Sequence, residues 1–513
     1  MNSEQFRAAA HSAIDQVIDY YENISDHRVV SAVQPGYLRP LLPSNIPENG
    51  EPWEDIQKDI TEHIIPGLTH WQSPNFLAFF PANSSYPGIL GELYSAAFTS
   101  ANFNWLCSPA ATELETIVLD WLCKLIVLPP CYLSTSSSGG GGVIQGSASE
   151  AIVTVIVAAR DRYLRSLTVG IEDENERDLI IDKYRGKLVA LCSDQSHSST
   201  QKGCLIAGTK YRPITVPRNE KSGNYCLTAS TLRSALEAAK ADGLEPFYTT
   251  VTLGTTSTCA VDFFQEITEV ARDYPNLWIH VDAAYAGAAL VCPEYQHLIA
   301  GIEEFDSFNM NMHKWLLVNF DCSCLFVKER KHLLDALSIT PSYLRNEFSE
   351  KGLVTDYRDW QIPLGRRFRA LKMWFVMRSY GAEGLRKHIQ NCLNVGMSFY
   401  KCILSRPDLF EIFTPPGFGL TVFTVTVGVE GLKKRNEITK EVYEAVNSEG
   451  DIFITSTTVD GTYAIRVVSG NPRVEEKHLV RAFEIIVRKT EEIKTKGIHT
   501  PPEVEVENEV KGI

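Results

Sequence analysis

The chain has 513 residues, of which 44% are hydrophobic and 22% charged, and 49 Lys and Arg stand against 63 Asp and Glu for a net charge of −14. This balance excludes a disordered chain, whose apolar content cannot support a core. The acidic surface argues against nucleic acid and anionic membranes as partners. At about 150 residues per domain, the length allows about three units or one large α/β core with appendages.

The twelve cysteines are too sparse for a disulfide scaffold. Most sit in apolar runs, such as Cys123 and Cys192, or alternate, as Cys322 and Cys324 do, which predicts buried free thiols in a reducing compartment. No cysteine pair has the spacing of a zinc site, so no metal is expected. The start, Met1-Asn-Ser-Glu-Gln-Phe, lacks the apolar core of a secretory signal. The longest apolar stretch, Ala151 to Ala159, is too short to span a bilayer. A cytoplasmic protein without a membrane partner is expected.

In chain order, Phe6, Ala10, Ala13, Val17, Tyr21 and Ile24 recur at helical spacing. The region up to Pro66 holds too little apolar residue to form its own core and predicts packing on a partner. Ser108-Pro109 opens a helix with the stripe Leu114, Ile117, Val118, Trp121, Leu122 and Leu125. Ser134 to Gly142 reads as a flexible turn, followed by Val143 to Ser149 and a long helix beyond Glu150. Glu172 to Asp178 reads as a solvated insertion. From Leu188 onward, short apolar strands (188–192, 248–253, 277–281, 306–310, 323–327) alternate with helices (228–241, 263–273). That rhythm predicts a mostly parallel sheet covered on both faces. After a helix over 381–405, strands at 420–427, 452–455 and 463–468 with helices at 438–446 and 474–490 predict a smaller α+β domain. The end, from Thr500, reads as a frayed acidic tail.

Polar groups cluster just past the predicted strand ends, where open α/β sheets place ligands. Asp282 follows one strand, His197 another, Thr255-Thr256 a third and His313-Lys314 a fourth. Gly146-Ser-Ala-Ser149 starts a helix whose free N–H groups suit a phosphate ester. Singly these are weak signals, since a loop lysine is ordinarily a surface residue and an Asp after a strand ordinarily a turn residue. Together, in this order, they match the needs of pyridoxal phosphate (PLP). Lys314 offers an amine for the aldehyde. Asp282 offers a carboxylate for the pyridine nitrogen, His197 an aromatic face, and Ser147, Ala148 and Ser149 a phosphate cradle. The glycine run at 139–142 lacks the dinucleotide fingerprint.

The stretches 75–81, 102–115, 140–150, 193–197, His280-Val-Asp-Ala-Ala-Tyr-Ala-Gly287, 313–322 and 356–368 resemble those of the aromatic L-amino acid decarboxylases, over nearly the whole chain from Phe6 to about Thr490. The resemblance implies PLP fold type I, the aspartate-aminotransferase-like α/β fold with a large, mostly parallel seven-stranded sheet. It implies an N-terminal helical arm over 1–85 swapped in a homodimer, a large domain over 86–385, a small α+β domain over 386–493, and a flexible tail over 494–513. It assigns PLP contacts to Ser147, Ala148, Ser149, His197, Thr256, Asp282, Ala284, Asn311, His313 and Lys314. It assigns the substrate pocket to Trp71, Phe79, Phe80, Pro81, Ala101, Phe103 and Gly365, with Phe103 and the 365 position reaching across the dimer interface.

The same resemblance implies catalytic roles for Lys314, Asp282, His197 and Tyr343. Tyr343 stands where decarboxylases carry the proton donor to Cα and oxidative aldehyde synthases carry Phe. With both Tyr343 and His197 present, simple decarboxylation to an arylalkylamine and carbon dioxide is expected. Met312 stands where relatives usually have Pro, which predicts a slightly looser lysine loop. Ala82, Ala101 and Gly365 widen an apolar pocket and offer no partner to a ring hydroxyl. They favour L-tryptophan, with phenylalanine, tyrosine and dopa as further substrates. The alternatives are an oxidative aldehyde synthase on the same scaffold, a non-catalytic PLP-binding dimer, and decarboxylation of Glu, Asp or His. The aromatic cluster, with no evident carboxylate-binding Arg beside it, argues against Glu and Asp.

Overall fold

The computed structural model describes residues 1–339, 341, 344, 346–427 and 431–496. Seven short strands form one sheet: β1 (Gly141–Gln145), β2 (Leu188–Ser193), β3 (Lys210–Ile214), β4 (Glu245–Thr252), β5 (Trp278–Asp282), β6 (Ser307–Asn311) and β7 (Ser323–Val327). Their spatial order is β1-β7-β6-β5-β4-β2-β3, and β7 alone runs against its neighbours.

Alternation along these strands feeds two cores. Val189, Leu191, Ile279 and Val281 face one layer of helices, which includes Pro109–Leu125. Leu188, Ala190, Cys192 and Trp278 face the other, which includes Ala148–Ser166. Both faces are covered, so the strands read as continuous apolar runs. Each fully buried Leu, Ile or Val there contributes roughly 1.5–3 kcal/mol. Parallel strands end at one common edge, and the polar residues that follow them gather there.

A second, antiparallel sheet of β8 (Phe410–Gly417), β9 (Leu420–Val425), β10 (Thr455–Val459) and β11 (Thr462–Val468) is ordered β10-β11-β9-β8. It packs with the helices Leu432–Glu449 and Glu476–Lys496 around its own core. The helix Arg369–Leu404 connects the two sheets and breaks at Gly381, whose φ of +62° suits glycine.

Some expectations need correction. The glycine run is not a free turn throughout, because Gly141 and Gly142 open β1. A Cβ on Gly142 would lie 2.9 Å from the Phe326 ring, and one on Gly140 would lie 1.9 Å from the Cys131 carbonyl, so glycine is what lets the strand enter the sheet. The insertion after residue 172 is a helix, Glu174–Arg185, with no buried residue. The edge strand β3 and the strand β8 carry too mixed a pattern to be visible as strands. Met312 is fully buried. All cysteines are unbridged, and all but Cys107, Cys131 and Cys402 are buried. The expected tail falls, beyond residue 496, outside the described residues. Among the described residues, no helix is long and apolar enough to cross a membrane.

The arm helix Ser3–Glu22 starts with an Asn2–Gln5 capping box and buries only Ala9. Its Phe6, Ile14, Val17 and Ile18 remain exposed. The helix Tyr86–Ala97 likewise exposes Tyr86, Leu90, Leu93 and Tyr94. An apolar surface of this kind marks an interaction face.

Two buried histidines make stability pH-dependent. Burial lowers both His280 and His388 to about 4. Unfolded, they take up protons near pH 6.5. Between those values the unfolded chain binds more protons, so stability falls as pH drops through 6.5, by up to about 1.4 kcal/mol per pH unit per histidine. Asp262, raised to about 7 by burial against the pull of the Leu227 and Thr252 N–H groups, acts in the opposite sense. Denaturant midpoints between pH 7.5 and 5 should therefore fall less steeply in His388→Gln than in the parent. Equal slopes would contradict the assignment.

Candidate active site

The ends of β1, β2, β4, β5 and β6 converge on one cavity of about 200 Å³. Ser147, Ala148, Ser149, His197, Thr256, Asp282, Ala284, Asn311, His313 and Lys314 all line it. Thr252, Gly254, Tyr285 and Phe320 also line it and were not singled out as individual contacts, although Tyr285 and Phe320 stand inside two of the quoted motifs. Gly254 has φ +86°, and a Cβ there would lie 2.5 Å from that of Ala286, so this glycine lets the Thr256 loop close over the turn after β5.

Asp282, the last residue of β5, accepts the Ala284 N–H at 3.0 Å and is the only carboxylate lining the cavity among the described residues. Lys314 lies in the short helical turn Met312–Trp315. Burial of its amine lowers its pKa, opposed by the charge of Asp282. His197 is lowered by burial, with Asp282 opposing and Lys314 adding to the shift. The Ser199 N–H donates to His197 Nδ1 at 3.2 Å, so the neutral ring carries its proton on Nε2. The Cys322 N–H donates to His313 Nδ1 at 2.8 Å, and burial pushes His313 down to about 3, so it too is neutral with Nε2–H.

At the other end of the cavity, Ser147 caps the helix Ala148–Ser166 by accepting the Glu150 N–H. The first-turn N–H groups of Ala148 and Ser149 thus stay available, which is the arrangement that binds phosphate. Thr252 Oγ1 and Asn311 Oδ1 are buried without a hydrogen-bond partner among the described residues. An enclosed amine, a carboxylate at the strand ends, a histidine ring, free helix N–H groups and unpartnered polar atoms fit the polar requirements of PLP.

The residues expected to bind substrate separate into two sets. Phe80 lines the cavity, stacks on Tyr285 at 3.9 Å between centroids, and has Lys314 Nζ 5.9 Å from its centroid. Trp71 and Phe79 stack on each other at 5.7 Å and with Phe76 form a neighbouring aromatic group, while Pro81 lies against Gly470. Ala101, Phe103 and Gly365 do not line this cavity. They share a different surface, where the Ala101 carbonyl accepts the Arg366 N–H at 2.6 Å and the Phe103 carbonyl accepts the Arg358 N–H at 3.1 Å. Tyr343 lies outside the described residues.

The sequence does not single out two buried arginines, although Arg366 and its partner Glu115 stand inside the stretches 356–368 and 102–115, because their partners are remote in the chain. Arg466 of β11 stands 5.3 Å from the Phe80 centroid and hydrogen-bonds Ser257 O and Thr455 Oγ1, with Nη2 unpartnered. Arg366 forms a buried ion pair with Glu115, and Glu115 also accepts the Ile144 N–H at 2.8 Å. That pair ties the Ala101 and Gly365 segments to β1. Glu115→Ala would leave the guanidinium buried and uncompensated, at a cost of about 3–5 kcal/mol. The urea midpoint should fall accordingly, and an unchanged midpoint would deny the pair its structural role.

Residues 35–426 match the pyridoxal-dependent decarboxylase conserved domain, and the chain belongs to that family. It is a PLP-dependent lyase of the aromatic amino acid decarboxylase group. Tyrosine decarboxylase 2 of Narcissus pseudonarcissus is 45% identical, with 94% of each chain covered. Phenylacetaldehyde synthase of Arabidopsis thaliana is 46% identical, covering 95% of this chain and 96% of that one. The crystal structure of Catharanthus roseus tryptophan decarboxylase in complex with L-tryptophan is similar with a TM-score of 0.87 and 41% identity, over 96% of this chain and 99% of that one.

Proposed function

We propose that this chain decarboxylates aromatic L-amino acids to arylalkylamines, with tryptophan favoured over phenylalanine, tyrosine and dopa. The observation that carries the reading is the single cavity shared by Lys314, Asp282, His197 and the helix start at Ser147–Ser149. Bound PLP supplies an acceptor for the electron pair freed when carbon dioxide leaves. Lys314 holds the aldehyde end. Asp282 would keep the ring nitrogen protonated, Ser147, Ala148, Ser149, Thr256, Asn311 and His313 would hold the phosphate end, and Ala284 would be a further contact. His197 would stack on the ring and keep Nε2–H available to the substrate carboxylate. Tyr343 then delivers the proton to Cα.

Phe80 and the Trp71–Phe79 group form the apolar wall on this side. Ala101, Phe103 and Gly365 supply the opposite wall to a second copy of the chain, and the exposed arm and the Tyr86–Ala97 face support such a homodimer. The exposed arm helix and the break at Gly381 support a division into an arm over 1–85, a large domain over 86–385 and a small one over 386–493. Ala101 and Gly365 offer no hydroxyl partner, and a pocket without one discriminates weakly against a bulky ring. This favours the indole.

Product analysis on a mixture of aromatic amino acids tests the reading. The parent should release amine and no peroxide, and Tyr343→Phe should release aldehyde with peroxide. Amine output unchanged by the substitution would remove Tyr343 from the proton-donor role. Aldehyde from the parent would favour the synthase chemistry named for the Arabidopsis relative.

A further inference from the structure

We propose that Asp321, held by Arg369, is a positioning residue for the phosphate end of the cofactor. The inference rests on reading Ser147–Ser149 and His313 as that end. Asp321 lies between the two. Arg369 clamps its carboxylate with both arms, Nε at 3.1 Å from Oδ1 and Nη2 at 3.2 Å from Oδ2. Arg367, just before the helix that carries Arg369, lies 3.6 Å from the same carboxylate, and the buried Lys372 of that helix lies 3.9 Å from it. A bidentate guanidinium pair fixes orientation as well as charge.

Two structural links run from this carboxylate to the walls of the cavity. The first is through the backbone. Phe320, one residue before Asp321, sets its ring 4.5 Å from that of His313. Cys322, one residue after, donates its N–H to His313 Nδ1 at 2.8 Å and thereby leaves Nε2–H as the donor. Fixing Asp321 fixes both. The second is through space. A Cβ on Gly146 would meet Glu150 Oε2 at 2.9 Å, Asp321 Oδ2 at 3.1 Å and Arg369 Nη2 at 3.7 Å. The Gly146 N–H itself donates to Glu150 Oε2 at 2.9 Å. Asp321 and Arg369 therefore abut the peptide that turns into Ser147, where a side chain in place of Gly146 would push the Glu150 and Asp321 carboxylates aside. One ion cluster backs both the helix-start donors and the imidazole donor.

A carboxylate near a phosphate should repel it, so the role has a sign that separates positioning from field. Asp321→Asn removes a negative charge: a pure field effect tightens PLP, whereas loss of positioning loosens it. Arg369→Lys keeps the charge and loses the two-armed grip. The affinities of full-length enzyme for PLP and for pyridoxal, which lacks the phosphate, give the readout. The preference for PLP over pyridoxal should fall at least about tenfold in both variants, the scale seen when groups supporting a bound ion's ligands are removed. Pyridoxal affinity should hardly move. An unchanged preference, an equal weakening of both cofactors, or a PLP affinity that rises in Asp321→Asn would overturn the proposal. If one variant does not fold, the other decides. The underlying cofactor reading fails separately, if the parent shows no preference for PLP or if borohydride does not fix the cofactor on Lys314.

Discussion

Lys314→Ala is expected to lose decarboxylation by on the order of 10³-fold or more, since no other group reproduces a covalent attachment point. Lys314 is the only lysine lining the cavity among the described residues. Its lowered pKa keeps more of the amine in the neutral, reactive form than an exposed lysine would have. Turnover assays together with the mass of the borohydride-reduced peptide check this. Full activity, or a label on another lysine, would defeat the assignment. The variant also tests the shared pocket. Mixed with Phe103→Ala, it should regain activity, because one of the two sites in a mixed dimer then has both halves intact. No recovery in a verified mixed dimer would mean that Phe103 serves its own chain.

Asp282→Asn should cost about 10²–10³-fold in turnover, the scale for removing one preorganised electrostatic partner of the reacting system. The amide keeps the shape and the Ala284 hydrogen bond but removes the one carboxylate that lines the cavity among the described residues. Asp282→Glu, which keeps the charge but displaces it, should lie between. A steady-state comparison with PLP at saturation separates lost chemistry from lost cofactor. An Asn variant of parental turnover would show that the charge is not needed.

The positions of chemistry were legible because they obey a local rule. Asp282 and Asn311 end strands, and His197, Thr256 and Lys314 follow strands by a few residues, so short apolar runs in sequence point to them. The lysine turn and the motif around Asp282 also contained Phe320 and Tyr285, although neither was singled out as an individual contact. The β1 strand was missed because Gly141 and Gly142 have no side chains to alternate. Their place in the sheet depends on Trp360 and Phe326 coming close.

Pairs remote in the chain left no such trace. Glu115 and Arg366 stand 251 residues apart and Asp321 and Arg369 stand 48 apart, and neither pair has a periodicity that could betray it. The substrate residues behave differently. The resemblance already sets Phe103 and the 365 position across a dimer interface, and the fold puts Phe80 in the cavity and Ala101, Phe103 and Gly365 on another surface.

The sequence alone determined the order of the apolar strands and their helices, apart from β1, β3 and β8, the cofactor class and the groups just past the strand ends, because burial periodicity and short motifs are properties of neighbouring residues. Tertiary structure alone decided which protons His197 and His313 carry and which ion pairs stand behind the cavity. Those depend on desolvation and on contacts between segments hundreds of residues apart, which exist only once the sheet has assembled.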